Sequence, residues 1–281
     1  MKWVIIGSAG QLGAELLDLM TDSAVGLPRD MGDLTNPLQL ERNLLAEKPD
    51  GVINCAAFNH VDKAEDSPDE AFVTNAWGVK DLAIICDKYN WKFVQFSTDH
   101  VFSGSKSAPW VETDLAVPAN AYGLSKYSGE MWAQKMNTNT YIVRTCGLYG
   151  DKGRGGKGGN FVSTIQKLAK AGKPLKVVAD QVCNPSNARD VAEATIHLIN
   201  RFDPGVYHLA NTGSCSWHDF ALAILHFSEI SVPVIPISTR EFGARAKRPA
   251  CSVLGSVWAG STEYPVLRHW RESLAEYLKI R

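Results

Sequence analysis

A short apolar run, a glycine-rich turn and an amphipathic stretch follow one another at the start of the chain and constrain its fold more than any other feature. Residues 3–6 predict a buried strand, Gly7, Gly10 and Gly13 mark the turn, and apolar side chains recur at helical spacing from Leu12 onward. A strand that passes through a tight turn into a helix is the first half of a strand–helix–strand unit. The chain is therefore expected to build a parallel sheet with helices on its faces.

The turn also has the chemistry of an anion site. Glycine lets the backbone turn tightly and approach a pyrophosphate, and the free N–H groups at the helix start attract its negative charge. The spacing is GxxGxxG and not the GxGxxG of most dinucleotide-binding dehydrogenases, so a purely structural turn is the alternative. On the dinucleotide interpretation, the cofactor contacts Gly7, Ala9, Gly10, Gln11, Leu12 and Gly13.

The end of the second strand bears on which cofactor is bound. This strand is predicted near residues 24–27 and is followed by Arg29 and Asp30. A carboxylate at this place suits a free ribose 2′-hydroxyl and an arginine suits a 2′-phosphate, so both NADPH and NADH stay open, with NADPH favoured. Asp33, followed by Leu34, either caps the chain locally or lies beside the adenine.

Further segments continue the alternation of strands and helices. Small residues end the third strand, where a flat cofactor can lie against the backbone. The fold class is therefore predicted as α/β, a Rossmann-type doubly wound parallel sheet, with a smaller mixed substrate-binding region. The predicted elements are strands at 50–57, 93–97 and 141–144 and a helix at 68–89. The dinucleotide-binding domain is predicted to comprise residues 1–145 and segments of the later chain that return to it, and the substrate-binding region mainly residues 146–281.

Composition excludes several classes of protein. The formal net charge is −1 and basic residues form no run, which gives a nucleic-acid partner no electrostatic support. No apolar stretch reaches the roughly 20 residues that a membrane helix needs. The six cysteines are widely spread and form no CxxC pair, which is typical of reduced thiols in the cytoplasm. A cleavable signal is not expected, because the N-terminus enters a strand at once.

Tyr122 and Lys126 form a YxxxK pair on a predicted helix. Residues four apart share one helix face, so a phenol and an ammonium at this spacing can act on one proton. Spacing alone does not separate such a site from a surface pair on an amphipathic helix. The glycine-rich stretch 147–159, with Lys152, Arg154 and Lys157, is equally open between phosphate capture and a plain flexible loop.

Taken together, the motifs resemble those of the extended short-chain dehydrogenase/reductases and, among them, the dTDP-4-dehydrorhamnose reductase group. The similarity covers nearly the whole chain in order. It includes residues 7–13, 54–58, 61–65, 75–76, 97–104, 122–126, 129–130, 144–145, 159–161, 180–181, 207–209, 217–220, 248–249 and 270–271.

The resemblance implies a catalytic trio of Thr98, Tyr122 and Lys126. In the reducing direction Tyr122 would give its proton to the carbonyl oxygen, Thr98 would hold that oxygen, and Lys126 would orient the cofactor ribose and restore the proton. A neighbouring ammonium and an oxidised nicotinamide are expected to lower the pKa of the tyrosine from its usual value near 10.

The resemblance also implies the binding residues. Beyond the glycine turn and the trio, the cofactor site would include Arg29, Asp33, Leu34, Cys55, Ala56, Ala57, Phe58 and Asn75. The substrate site would comprise Val61, Thr98, His100, Tyr122, Gly147, Asn160 and Arg248.

Two departures from the family pattern affect the sugar-binding wall. Members usually carry Tyr at the position of His100, and often Ser-Trp where this chain has Cys146-Gly147. The hydride machinery is retained, but the particular sugar and nucleotide base are left open. His100 either hydrogen-bonds the sugar, titrates near neutral pH, or is structural.

A third departure concerns the metal that bridges some family dimers. Glu15 matches one acidic position of that site, but Arg189 stands where another acid is expected. An arginine beside a divalent cation is electrostatically unfavourable, so no metal is predicted.

The resemblance implies NAD(P)H-dependent reduction of the 4-keto group of a nucleotide-linked deoxysugar, as in dTDP-rhamnose and polysaccharide biosynthesis. One alternative is an epimerase or dehydratase of the same superfamily, although Thr98 is followed by Asp99 without the Asp-Glu pair of the dehydratases. Another is a non-catalytic regulatory subunit that binds a nicotinamide nucleotide. The expected partner is a nucleotide sugar, and the protein is expected to be a monomer or a homodimer.

Overall fold

Ten strands form one large and two small sheets in the computed structural model, which describes residues 1–152 and 159–279. Arg154 and Lys157 of the predicted basic loop lie outside the described residues. The strands are β1 (Trp3–Ile6), β2 (Ala24–Leu27), β3 (Gly51–Asn54), β4 (Lys92–Thr98), β5 (Thr140–Thr145), β6 (Leu175–Val178), β7 (Val182–Cys183), β8 (Gly205–His208), β9 (Cys215–Ser216) and β10 (Val234–Ile237).

Helices connect most of these strands. The α-helices are α1 (Gln11–Leu19), α2 (Pro37–Glu47), α3 (Val61–Asp66), α4 (Pro68–Phe72), α5 (Gly78–Lys88), α6 (Ala121–Met136), α7 (Phe161–Lys170), α8 (Ala188–Arg201), α9 (Trp217–Phe227), α10 (Thr239–Phe242) and α11 (Trp270–Lys279). A π-helical turn, Val73–Trp77, joins α4 to α5, and a 3₁₀ turn, Asp99–Val101, follows β4.

The large sheet has six parallel strands in the order β2-β1-β3-β4-β5-β8. The chain moves outward to β2 on one side of β1 and returns to β3 on the other side. The crevice at this reversal of strand order is where doubly wound sheets bind ligands. The predicted fold class is thereby confirmed.

Apolar cores lie on both faces of the sheet. Successive side chains of a strand point to opposite faces, and all four side chains of β1 are buried. One core gathers side chains of α1 and α8, and the other gathers those of α2, α5 and α6. The faces are therefore covered by different helices, and the catalytic candidate helix α6 packs on the second face.

The later part of the chain divides its elements between two places. Strand β8 extends the large sheet next to β5, and α8 packs against α1. The pairs β6–β10 and β7–β9 stand apart, with α7, α9 and α11 around a core rich in aromatic rings. The division into domains at residue 145 stays a prediction.

The largest difference from the predicted elements lies in the helix expected over 68–89. The π turn interrupts it at the point where Gly129 of α6 packs against the carbonyl of Asn75: a Cβ on Gly129 would lie 2.1 Å from that oxygen. The short helix α3, which carries Val61, was not predicted. Within 1–152 and 159–279, no helix is long and apolar enough to cross a membrane.

Candidate active site

The glycine turn after β1 has the shape expected of a cofactor cradle. Gly7 has φ +74°, and a Cβ on it would lie 2.6 Å from the backbone nitrogen of Ala56. A Cβ on Gly13 would lie 2.4 Å from the carbonyl oxygen of Gly7, so the helix packs on the turn only without a side chain there. Gly10, the N-cap of α1, has no side chain to accept the first N–H groups of the helix, which leaves them available to an anion.

The segment after β3 forms the floor beside this turn. Asn54 accepts a hydrogen bond from the backbone of Ala56 at 3.0 Å, which folds the strand end back on itself. Asn75 donates to and accepts from the backbone of Phe58, both at 2.9 Å, and donates to the Ser125 hydroxyl at 3.0 Å. The amide of Asn75 therefore ties the segment containing Cys55, Ala56, Ala57 and Phe58 to helix α6. Its predicted role in the cofactor site stays a prediction.

The residues expected to contact the adenosine of the cofactor differ from one another in exposure and contacts. Arg29 and Asp30 are both exposed directly after β2. Asp33 is exposed and accepts hydrogen bonds from the backbone and the hydroxyl of Thr35, at 2.9 and 2.8 Å, which is a local cap. The side chain of Leu34 is buried in the core, so only its backbone is available to a ligand.

Helix α6 positions Tyr122 and Lys126. The helix begins after Asn120, whose side-chain oxygen accepts a hydrogen bond from the backbone of Gly123 at 2.8 Å. Lys126 is buried, and its ammonium donates to the carbonyl of Phe96 at 2.6 Å, which anchors the helix to β4. Thr98, at the end of β4, lies close enough to Tyr122 to influence the pKa of its phenol. The structure thus brings the three predicted catalytic residues together.

Burial dominates the acid–base properties of this trio. It raises the pKa of Tyr122 to about 12, with hydrogen bonding from Thr98 opposing and the charge of Asp99 adding to the effect. Burial also lowers the pKa of Lys126 to about 8, and Glu130 opposes this shift. In the ligand-free site the pKa of Tyr122 is raised, because loss of water disfavours the phenolate more than the nearby groups stabilise it. The lowering expected beside an oxidised nicotinamide stays a prediction. The neutral phenol is the form that donates a proton.

A carboxylate behind Thr98 was not among the predicted site residues. Asp99 is buried and accepts hydrogen bonds from the Thr98 hydroxyl and from the Cys146 thiol, each at 3.0 Å. Thr98 also accepts a hydrogen bond from the backbone of His100 at 3.3 Å. Asp99 therefore orients the Thr98 hydroxyl. The sequence did not predict this contact, because it depends on the 3₁₀ turn that follows β4.

A cavity of about 390 Å³ adjoins Asp99 and lies between the sheet edge and the later part of the chain. His100 and Arg248 line it, as predicted for substrate-binding residues, together with Trp217 from the start of α9. Arg248 is held by an ion pair with Asp62 of α3 at 2.7 Å. The wall therefore combines a cationic group, an imidazole and an aromatic ring, which suits a nucleotide sugar.

The other five predicted substrate residues, Thr98 and Tyr122 of the trio among them, do not line this cavity. Val61 is half-buried at the first position of α3. Gly147 has φ +54°, and a Cβ there would lie 3.3 Å from the ring of Trp217. Asn160 caps α7, and its amide donates to the carbonyl of Gly150 at 2.9 Å and to the Gln11 side chain at 3.1 Å. Asn160 therefore contacts the cofactor turn.

Positive side chains surround the acidic position matched to the family's metal. Arg189 lies 3.4 Å from Glu15 and 3.2 Å from Asp18. Lys152 lies 3.7 Å from Glu15 and 2.5 Å from Asp18. Over the described part of the chain, no group of three or more His, Cys, Asp or Glu residues could hold a metal ion. The two cations neutralise the carboxylates that a metal would require.

Comparison with known proteins gives concordant results. The sequence model of the family described as the RmlD substrate binding domain matches residues 1–281. The spore coat polysaccharide biosynthesis protein SpsK of Bacillus subtilis is 36% identical over 284 residues, covering 100% of this chain and 98% of that protein. The dTDP-4-dehydrorhamnose reductase of Burkholderia thailandensis is 37% identical over 276 residues, covering 91% of both.

A solved structure extends the agreement to three dimensions. The dTDP-4-dehydrorhamnose reductase of Bacillus anthracis, determined in complex with NADP, superposes with a TM-score of 0.94 at 35% identity over 100% of both chains. Sequence motifs, the whole-length family match and the superposition lead to one conclusion: the chain belongs to the RmlD substrate binding domain family, that of the dTDP-4-dehydrorhamnose reductases.

Proposed function

We propose that the protein is an NAD(P)H-dependent reductase of the 4-keto group of a dTDP-linked 6-deoxysugar. The observation that carries this function is the placement of Thr98, Tyr122 and Lys126 where helix α6 packs on the end of β4, next to a cavity of about 390 Å³ that Asp99 and His100 line. The relatives named above include enzymes of this activity.

The described residues fit a nicotinamide cofactor. Gly7 and Gly13 let helix α1 pack tightly on the end of β1, and the N–H groups at the start of α1, which no side chain caps, suit the pyrophosphate of a ligand. We assign the pyrophosphate to residues 7–13 and the flat remainder to the backbone of residues 55–58. A bound cofactor supplies the hydride.

The side chains of this chain supply the proton and hold the carbonyl. Tyr122 donates its phenolic proton to the ketone oxygen as negative charge develops there, and Thr98, whose single hydroxyl proton turns from Asp99 to the substrate, donates a hydrogen bond to the same oxygen. Lys126, kept near β4 by the Phe96 carbonyl, stabilises the tyrosinate that forms and returns a proton to it. General acid–base catalysis of this kind contributes roughly 10²–10⁴ in rate.

NADPH is the proposed preferred cofactor. Arg29 is exposed at the end of β2, where an arginine accommodates a ribose 2′-phosphate, and the Bacillus anthracis relative was solved with NADP. Arg29→Ala is expected to weaken NADPH binding about tenfold and leave NADH binding unchanged. Fluorescence titration measures both affinities. If Arg29→Ala weakens NADPH and NADH binding equally, Arg29 does not determine the cofactor preference.

The activity is tested by mixing the purified protein with a dTDP-4-keto-6-deoxyhexose and NADPH or NADH and following absorbance at the nicotinamide band. Substrate-dependent loss of absorbance in the native protein, abolished in Tyr122→Phe, supports the proposal. No loss with either cofactor sinks it. If the protein purifies with a tightly bound cofactor and causes no net oxidation of the nicotinamide, an epimerase or dehydratase is favoured. If a second polypeptide co-purifies and no ketosugar is turned over, a regulatory subunit is favoured.

The cytoplasm is the proposed compartment. All six cysteines are free thiols, which suits a reducing environment. Sedimentation of the purified protein decides between the monomer and the homodimer, which both remain compatible with the proposal.

A further inference from the structure

Asn160 lies between the cofactor turn and the helix that forms one wall of the cavity. It is the N-cap of α7, and Phe161 and Ile165 of that helix line the cavity. Its side-chain amide nitrogen lies 3.1 Å from Oε1 of Gln11, the first residue of α1, across a separation of 149 residues. The side chain of Asn160 therefore connects the two helices that border the cofactor turn and the cavity.

Two backbone groups fix the direction of the Asn160 amide. Its Oδ1 accepts a hydrogen bond from the N–H of Ser163, and its Nδ2 donates to the carbonyl of Gly150, both at 2.9 Å. A backbone N–H can only donate and a backbone carbonyl can only accept, so a flipped amide would lose both hydrogen bonds. The Tyr277 hydroxyl is a more distant neighbour of Nδ2, at 3.5 Å. The second N–H of Nδ2 is therefore directed at Gln11.

The fixed amide of Asn160 determines the orientation of the Gln11 amide in turn. The Gln11 atom that faces this donor must be the oxygen, so the –NH2 group of Gln11 lies on the side turned away from Asn160. Side chains of a helix tilt towards its N-terminus, so the side chain of its first residue extends past the helix start. Within 1–152 and 159–279, the Gln11 side chain has no hydrogen-bond partner besides Asn160, which leaves its N–H groups available to a ligand.

This orientation of the Gln11 amide suits a phosphate group. Phosphate oxygens accept hydrogen bonds, and an amide –NH2 adds donors to the backbone N–H groups at the start of α1, which no side chain caps. The opposite orientation would turn the amide oxygen towards the phosphate oxygens, which repel it. The last torsion of a glutamine side chain has two broad minima, so an unrestrained amide adopts both orientations. Asn160 favours the one that donates.

We propose that Asn160 is a positioning residue for the cofactor, which holds the Gln11 amide with its –NH2 group towards the pyrophosphate. The inference rests on the proposed function for the identity of the cofactor as a nicotinamide dinucleotide. Gln11 contacts the cofactor, and Asn160 acts through Gln11. The resemblance to the family had implied a substrate contact for Asn160, and the two roles predict different losses of affinity.

Calorimetric titration separates the positioning role from a structural one. Asn160→Ser keeps a side-chain oxygen that caps α7 and removes the –NH2 group without adding charge. It is expected to raise Kd for NADPH about fivefold and to leave Kd for dTDP unchanged. Ser163→Ala is the matched control, because it removes the other half of the capping box of α7 without contacting Gln11, and its Kd for NADPH should be that of the native protein. Native affinity for NADPH in Asn160→Ser, equal losses in both variants, or a loss of dTDP binding in Asn160→Ser overturns the inference.

A double-mutant cycle tests whether Asn160 acts through Gln11. Gln11→Met keeps the length of the side chain, removes its amide and is expected to raise Kd for NADPH about tenfold. In this background Asn160→Ser should change Kd by less than about twofold, because no amide is left to orient. If Asn160→Ser has its full effect in the Gln11→Met background, Asn160 acts by another route and the inference is wrong.

The binding measurements need no turnover, so the two proposals fail separately. If the native protein binds NADPH but reduces no dTDP-4-keto-6-deoxyhexose, the proposed function fails, and the cycle still decides the role of Asn160. If the native protein reduces the ketosugar and Asn160→Ser binds NADPH with native affinity, the function stands and the inference about Asn160 is wrong. A native protein that binds neither NADPH nor NADH contradicts both.

Discussion

Arg144 and Glu130 form a buried bidentate ion pair that joins strand β5 to helix α6. Arg144 Nε lies 2.9 Å and Nη2 lies 2.6 Å from the two carboxylate oxygens of Glu130, and both side chains are almost inaccessible to solvent. Glu130 follows Lys126 by one helical turn, as Lys126 follows Tyr122. Arg144 also contacts the ring of His208 at 3.3 Å. The pair therefore anchors the face of α6 on which Tyr122 and Lys126 lie.

Replacing Glu130 with glutamine is expected to destabilise the protein and to alter catalysis. It leaves the Arg144 charge buried without a counterion, a loss of about 3–5 kcal/mol in the free energy of unfolding. Glu130 raises the pKa of Lys126, so its removal lowers that pKa further below its usual value. Denaturant unfolding and a pH–rate profile should show both effects together.

A remote ion pair provides the control for this substitution. Arg268 binds Asp190 through two hydrogen bonds of 2.7 and 3.0 Å on α8, away from the trio. Asp190→Asn should destabilise the protein and leave the pH–rate profile in place. A displaced profile in Asp190→Asn would mean that general loosening, and not the charge of Glu130, moves the pKa of Lys126.

Tyr122→Phe should abolish proton donation while preserving the fold. Turnover is expected to fall about 10²–10⁴-fold, because we propose the phenol as the group that protonates the ketone oxygen. The dissociation constant for NADPH should change little. Tyr127→Phe, on the same helix but outside the trio, is the matched control and should retain turnover. Comparable losses in both variants would remove Tyr122 from its assigned role.

The pH dependence of the reaction is expected to follow Lys126. Its pKa is lowered to about 8 by burial, whereas that of Tyr122 is raised to about 12. As pH rises through about 8, Lys126 loses its proton and its ability to stabilise the tyrosinate, so kcat/KM in the reducing direction should decline. The pH–rate profile of the residual activity of Lys126→Met is the test. If kcat/KM still declines over the same alkaline range, another group causes the decline.

Gly13→Ala should disrupt the cofactor turn by steric overlap alone. The added Cβ would lie 2.4 Å from the Gly7 carbonyl oxygen, and the helix must shift to relieve the contact. NADPH binding is expected to weaken more than tenfold, with a stability loss of about 1–3 kcal/mol. Gly260→Ala adds the same methyl group where nothing lies within 4 Å and should leave both quantities unchanged. Calorimetric titration and thermal unfolding test the contrast.

Local patterns predicted most elements of the sheet and its helices. The limits predicted for β1 and β2 coincide with those observed, because an apolar run bounded by turn residues is a local signal. Asn120 was missed as the cap of α6 although its place two residues before Tyr122 is a recognisable N-cap position. The interruption at the π turn was missed because it depends on the approach of Gly129 from another helix.

By itself, the sequence determined the α/β class, the glycine turn, the helical spacing of Tyr122 and Lys126, and the family, because these depend on neighbouring residues or on ordered motifs. The tertiary structure decided the rest. It joined Asn120 to Lys247 and Arg144 to His208, across separations of 127 and 64 residues. It also raised the pKa of Tyr122 by burying it. Burial, hydrogen-bond direction and charge neutralisation arise only when distant segments pack together. In this protein they set the surroundings of Tyr122 and Lys126, the proposed catalytic pair, which helical spacing had already located.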